Sequence, residues 1–533
     1  MLGLSHFAAF QPPTLDGTPR KPPPPTVLKF PQCAPQSEDG PSPSRDSPPI
    51  VPLLQSIHRP TDIKLSHFEA LGLHVLRNAP AEDILPDPSF LPPVEQWMSV
   101  SPSDLEEANP RTRKPLNNGN LSPGLQTYLE RQHELSLDNT AAFRTVRRIP
   151  PPAGEQAVRL GNAYEFYKNL EFFSGYWIDT SLPPEAEAER EKEAQDADTP
   201  PVPTHLQTHL RTGNGSQLPP DYRQHLLSAF IKLVAYDFGC NVSLPRCEPR
   251  LQLFNSPSAA SPASYYPSGC TFIYRSPTDR NSARAGIVEG PVAALSCRTA
   301  TTFADPLDER LDLAREVVAV LLTAQQRARE GKTEVRFGEG KWWTEKKRWG
   351  GGAGGPIGRE AEKVEAVGAI DKIGTGEKVE SEVVAAAKAA IGPSPAKRTK
   401  KERASGNMSI YDNYRKLAPP SSTWDRKARY EAIGKVPGTA FDDVFLVSAL
   451  NHHISVIRVR VPGALIETFE GHPEANWGRL CMWRSKWYDL FLAKERIEAM
   501  QLVWGMMGYL MRKIEVAAPE TGAERESTKM EVD

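Results

Sequence analysis

Residues 350–407 constrain what this chain can fold into more than any other stretch. They hold a glycine run, Trp349-Gly-Gly-Gly-Ala-Gly-Gly-Pro-Ile-Gly358, then an Ala/Glu/Lys/Val/Gly segment of low complexity and a basic run. Loops longer than about 15 residues inside a compact domain are usually functional or disordered. The stretch therefore reads as a disordered insertion, and one discontinuous core has to be assembled from the sequence on either side of it.

Proline sharpens the division, because 51 of the 533 residues are proline, about twice ordinary usage. Residues 1–60, with Pro22 to Pro25 and Ser-Pro steps at Ser42 and Ser47, read as a disordered tail with polyproline II character. Residues 61–154 read as an extended lead-in with short helices that lies on the core. The first part of the core spans 155–349 and is interrupted by an acidic linker at 183–203. The second part spans 408–516, and 517–533 form a disordered tail.

Within the core the hydrophobic period changes along the chain. Phe166, Leu170 and Phe173 recur at helical spacing before Gly175, and Leu226, Leu227, Phe230, Ile231, Leu233 and Val234 form a broad helical face that ends near Gly239. Between 240 and 300 the period falls to two. Leu251–Phe254, Cys270–Arg275 and Gly286–Arg298 read as strands, the last two paired antiparallel. Asp305 as N-cap, Pro306 at the first helical position, and Asp308 and Glu309 in the first turn open a long helix, with Leu311, Ala314, Val317, Val318, Leu321 and Leu322 as its buried stripe.

In the second part, Ile454–Val461 alternates Ile457, Val459 and Val461 with Arg458 and Arg460, and Pro462-Gly463 follows. This predicts a hairpin turning at Pro462-Gly463, with Ala464–Phe469 as the return strand and Arg458 opposite Glu467. A helix from about Ser485 to Ile514 closes the domain. The expected fold class is α+β: a discontinuous core of antiparallel β-hairpins, each followed by a long helix.

The charges nearly cancel, 64 basic against 66 acidic, so a role on nucleic acid or a membrane has to rest on a local patch. The longest apolar run, Val503–Met511, is about half the length that crosses a bilayer, and no membrane partner is expected. The N-terminus, with Pro12 and Pro13 early and no basic start, reads as a plain cytosolic beginning. Six cysteines are too dilute for a disulfide framework, and a reducing compartment fits best.

Two clusters carry the functional expectations. Pro395-Ala-Lys-Arg-Thr-Lys-Lys-Glu-Arg403 places Lys397, Arg398, Lys400, Lys401 and Arg403 in a stretch kept extended by its composition, and it resembles a monopartite nuclear import signal. The resemblance implies an import carrier as a partner, and a nuclear location with a cytoplasmic pool. Upstream, Lys341, Trp342, Trp343, Lys346, Lys347, Arg348 and Trp349 interleave aromatic faces with cations. Such a patch can stack bases while tracking phosphates, contact a protein partner, or pack within its own domain.

Other chemistry finds little support. Gly350, Gly352 and Gly355 match a GxGxxG pattern, but Lys346-Lys347-Arg348 precedes it, Pro356 interrupts it, and no strand–turn–helix context surrounds it. Cys240, Cys247, Cys270 and Cys297 form no CxxC knuckle, so strand cysteines are expected to be small buried hydrophobes, without zinc. His452 and His453, adjacent on a strand, would face opposite sides. They and the His205/His209 pair read as surface or capping histidines, and no metal or cofactor is expected. Glu289, Asp442 and Asp443 could converge in a cleft but read as ordinary solvated carboxylates. No nucleophile elbow is present. The leading expectation is a non-enzymatic nuclear interaction or regulatory protein with an unknown protein partner. The alternatives are a nucleic-acid-binding protein using 341–349, and an enzyme without a recognisable motif.

Overall fold

Residues 441–462 build the centre of the molecule. Phe441–Leu450 (β8) and His453–Pro462 (β9) pair antiparallel along their whole length, from Phe441 opposite Pro462 to Leu450 opposite His453. Only Asn451 and His452 remain between them. Asn451 takes φ +56°, a left-handed conformation that asparagine tolerates better than most residues. Its side chain is held as well, accepting from Arg223 Nε at 2.6 Å and donating to the Ala300 carbonyl at 2.9 Å.

The structure is a computed structural model describing residues 23–33, 35, 48–183, 207–243, 250–259, 262–275, 287–330 and 429–514. Its remaining strands are Leu73–Leu76 (β1), Cys240–Ser243 (β2), Arg250–Leu253 (β3), Ser264–Pro267 (β4), Thr271–Arg275 (β5), Ile287–Arg298 (β6), Arg429–Glu431 (β7), Leu480–Arg484 (β10) and Tyr488–Asp489 (β11). Nine of the strands form one sheet in the order β1-β10-β9-β8-β6-β5-β2, with β11 beside β9 and β7 beside β6; β3 and β4 form a separate antiparallel pair. The fold is α+β with a mixed sheet. β6 runs parallel to β7 and to β8, joining the two sides of the insertion, and β1 runs parallel to β10.

Alternation along the strands feeds two cores, one on each face. Val444, Leu446, Ile457, Val459 and Val461 meet Phe272, Tyr274 and the helix Pro306–Arg327 on one side. Phe445, Val447, Ala449, Ile454 and Val456 meet the helices of the other side. These helices are Leu125–Ser136 (α1), Asn139–Arg147 (α2), Tyr164–Ser174 (α3), Pro220–Ala235 (α4) and Ala493–Met511, with Phe166, Leu170, Phe173 and Phe230 buried as their spacing predicts. Pro306–Arg327 is α5, the short Gly463–Phe469 is α6, and Ala493–Met511 is α7.

Several expectations change. Within the stretch 1–60 read as a disordered tail, the helix Ile50–Gln55 buries Ile50, Val51 and Leu54 in the core. Pro462-Gly463 is no hairpin turn: Pro462 is the N-cap of α6, whose Leu465, Ile466 and Phe469 are buried at helical spacing. β9 already has β8 on one edge and β10 on the other, so Arg458 lies opposite Phe445 and Trp483 rather than Glu467. In the second part the hairpin is therefore followed by α6, β10 and β11 before the long helix. The closing helix starts at Ala493 instead of 485, because Tyr488 and Asp489 extend the sheet beside Ile454 and His453. On α5, Leu311, Ala314 and Val318 are only half-buried, whereas Leu313, Val320 and the charged Asp312 and Glu316 are buried, since the helix is covered from several sides. Asp305 does cap it, accepting from Leu307 N at 2.8 Å, with Pro306 at the first position. Among the described residues no helix is long and apolar enough to cross a membrane.

Candidate functional site

Parallel β6 and β8 finish side by side at Arg298 and Leu450, and chemistry-bearing side chains gather beyond their ends. The Asn451–His452 turn puts His452 outside the strand, so strand alternation no longer separates it from His453. The two rings lie 4.3 Å apart, centroid to centroid. This overturns the reading of the pair as surface histidines facing opposite ways. His452 is 4 % exposed, packed edge-on to Trp177 and against Phe491, and His453 is covered by Phe30.

Both rings turn toward Asp489 of β11. His453 Nε2 lies 3.6 Å from Asp489 Oδ2, and His452 Nε2 lies 3.9 Å from Oδ1. The Nδ1 atoms of both histidines are buried without a hydrogen-bond partner. Asp489 is held more tightly: Thr180 Oγ1 donates to Oδ2 at 2.6 Å, Phe491 N to Oδ1 at 2.9 Å, and its own N–H donates to Glu495 at 2.6 Å. Burial holds His452 well below the usual imidazole range and lowers His453 also, so both rings are neutral near pH 7. Burial also raises the Asp489 carboxyl, an effect that His453 and the Thr180 hydroxyl only partly offset. Among the described residues His452, His453 and Asp489 could hold a metal ion, with one donor atom from each lying within 4.8 Å of the others.

A second polar network backs this group. Asn139 Nδ2 donates to both oxygens of Asp179, Ser181 donates through N and Oγ, and His209 Nδ1 lies 3.2 Å away. Burial pushes the Asp179 carboxyl up, but the adjacent His209 ring and hydrogen bonds from Ser181 and Asn139 hold it below its ordinary value. His209 is thus a buried partner rather than a surface or capping residue, and His205 lies outside the described residues. Arg496 Nη1 donates to Asn139 Oδ1 at 2.6 Å and ties α7 into the network.

On the α5 side of the same sheet end, Glu316 is fully buried between two guanidinium groups. Arg298 Nη1 lies 2.5 Å from Oε1, Arg484 pairs with Oε2, and Ser448 Oγ donates to Oε1 at 2.6 Å. Asp312, one turn earlier on α5, faces Arg298 Nε at 2.9 Å. Arg298 and Arg484 both lie over the Trp487 ring, at 5.5 and 5.3 Å.

Residues 23–33 run across this end of the sheet. Thr26, Leu28 and Phe30 are half-buried while Val27 and Lys29 are exposed, a period of two. Arg211 donates to the Pro23 carbonyl, Gly215 N to Thr26 Oγ1 at 2.7 Å, and Lys29 N to the Thr301 carbonyl at 3.0 Å. Phe30 stacks on Trp487 at 5.3 Å and meets His453 edge-on at 5.0 Å; Arg77 grips Gln32 through its side chain and carbonyl. Leu28 packs against one core and Cys33 against the other, so the segment wraps around the sheet end.

The other expected site residues fall elsewhere. Glu289, Asp442 and Asp443 neither converge nor stay solvated. Glu289 pairs with Arg275, Asp442 accepts two bonds from Arg327 at 2.7 and 3.0 Å, and Asp443 pairs with Arg460 at 3.2 Å. The strands bury them, so each takes a cation from its neighbourhood. A depression of about 200 Å³ beside Asp442, Asp443 and Tyr509 is lined by carboxylates already paired in this way. Cys240 and Cys270 are buried thiols, and no described cysteine is in a disulfide. Cys247, the glycine run at 350–358, the patch from Lys341 to Trp349 and the basic segment from Lys397 to Arg403 lie outside the described residues.

Sequence reasoning missed Asp489, Asp179 and Glu316. The one local signal was on α5, where Asp312 and Glu316, four residues apart, share a face beside Leu313 and Val317. No protein-family model matches the chain, and the comparisons with curated proteins and with solved structures returned no match.

Proposed function

We propose that this chain is a non-enzymatic nuclear interaction protein whose α+β core docks extended peptide segments at the end of its central sheet. The observation that carries the reading is the seating of residues 23–33. Contact there comes from alternate side chains, a few carbonyl and amide bonds, and one aromatic anchor, Phe30 on Trp487. That is the contact pattern of a linear motif in a groove: an inserted aromatic supplies binding energy, and backbone hydrogen bonds set the register. In this chain the motif is supplied in cis, where tethering gives it an effective concentration of order millimolar. A partner carrying a similar Pro-rich, aromatic segment would compete for the same surface. The nuclear part of the proposal rests on Lys397, Arg398, Lys400, Lys401 and Arg403 and their resemblance to an import signal.

The test adds a fluorescent peptide of residues 22–35, with Cys33→Ser, to the full chain and to a full chain carrying Leu28→Ala and Phe30→Ala. The variant should bind the peptide roughly tenfold or more tightly than the parent, because its own segment no longer fills the groove. Absence of binding to both chains would overturn the docking reading. For location, the parent should be nuclear and the Lys397, Arg398, Lys400 and Lys401→Ala version cytoplasmic. Equal distribution of the two would remove the import signal from the proposal.

A further inference from the structure

We infer that His452, His453 and Asp489 form a binding site for one divalent transition-metal ion of the zinc class. The site stands independently of peptide docking, although Phe30 lies over it. Three observations converge. The first is the donor set: two imidazole nitrogens and a carboxylate match the nitrogen- and oxygen-rich coordination that zinc accepts, with a fourth position left for water.

The second is spacing. The Nε2 atoms stand 3.6 and 3.9 Å from the two carboxylate oxygens. A tetrahedral ion with bonds of 2.0–2.1 Å places its ligand atoms about 3.3 Å apart, so small side-chain adjustments bring the three donors to bonding distance. These separations exceed hydrogen-bond reach, so the imidazole–carboxylate contacts do not satisfy the rings.

The third is the state of the rings. His452 is 4 % exposed, its Nδ1 has no partner, and the Nδ1 of His453 has none either. Both rings sit in an apolar setting of Trp177, Phe491 and Phe30, and a cation between them and the carboxylate would give the Nε2 atoms, which face Asp489 beyond hydrogen-bond reach, a partner there; the Nδ1 atoms on the far side of each ring would stay unpaired. Asp489 is already oriented by Thr180 and by the Phe491 amide, as outer groups orient metal-binding carboxylates. Glu495, bonded to the Asp489 amide, adds negative charge nearby. The ion would add a further tie between the β8–β9 turn and β11, beside their short pairing and the Leu490 N–H bond to the His452 carbonyl.

The experiment uses the full chain without tag histidines, stripped with a chelator and titrated with Co²⁺ as a coloured probe and then with Zn²⁺. One equivalent of Co²⁺ should bind, with the intense visible bands of low-coordinate nitrogen and oxygen ligation, and Zn²⁺ should displace it. His453→Gln and Asp489→Asn should each weaken binding at least tenfold, Thr180→Val should weaken it less, and His225→Gln should leave it unchanged. Should Asp489→Asn fail to fold, the parent titration and the variant at His453, which is less buried than His452, still decide. A parent that takes up no Co²⁺ at 100-fold excess, variants that bind like the parent, or near-ultraviolet thiolate bands placing the ion on cysteines would each overturn the site.

Discussion

Glu316→Gln tests the buried ion network most directly. Glu316 is fully buried, and its two oxygens serve Arg298, Arg484 and the Ser448 hydroxyl. Glutamine keeps the size and one acceptor but removes the charge. Arg298 keeps Asp312, whereas Arg484 loses the carboxylate it pairs with. Taking one partner out of a buried pair costs about 3–5 kcal/mol, because the remaining charge stays desolvated. At roughly 2 °C per kcal/mol for a folded unit of this size, the midpoint of thermal unfolding should fall by about 6–10 °C. Adding Arg484→Met removes the stranded charge and keeps an apolar contact for Trp487, so the double variant should recover about 2 kcal/mol or more relative to the sum of the two single changes. Urea titrations of the four proteins, followed by far-ultraviolet circular dichroism, measure the cycle. A loss under about 1 kcal/mol for Glu316→Gln, or strict additivity, would refute the reasoning.

Two further outcomes follow from the same structure. Burial lifts the Asp312 carboxyl from 3.8 to about 6, against the pull of Arg298. Between pH 4 and 6 the folded chain therefore holds a proton that the unfolded chain has released, and stability should decline across that window as pH rises, by at most about 3 kcal/mol. Asp312→Asn should lack this slope, and urea midpoints at pH 4.5 and 6.5 that move in parallel for both proteins would contradict it. At Gly471, φ is +91° and an added Cβ would sit 2.4 Å from the Ser256 backbone, whereas at Gly478, φ +75°, it would meet open space. Gly471→Ala should therefore cost more than the roughly 1–2 kcal/mol of left-handed strain expected for Gly478→Ala. Equal melting shifts would count against a close approach at Gly471.

Local signals reached some elements and stopped short of others. The start of α5 could be read directly, because Asp305 and Pro306 act on amides within the same turn. α3 and α4 were visible in the spacing of Phe166, Leu170, Phe173 and Phe230, since a helix satisfies its own backbone and shows its buried face as a period. β9 was visible as a strand, but its partner was not. A strand completes its hydrogen bonds only with another segment, and Pro462-Gly463 offered a plausible local turn that β8 displaced.

The sequence by itself determined the cap that opens α5 and the buried faces of α3 and α4, because these depend on neighbours within a few residues. Only the tertiary structure decided that β6 and β8 run parallel, that Arg298 and Arg484 close on Glu316, and that Asp489 comes to the His452–His453 turn. Those groups lie far apart along the chain. Their charges and lone pairs acquire chemical meaning only where burial removes water and the sheet end brings them within a few ångströms of one another.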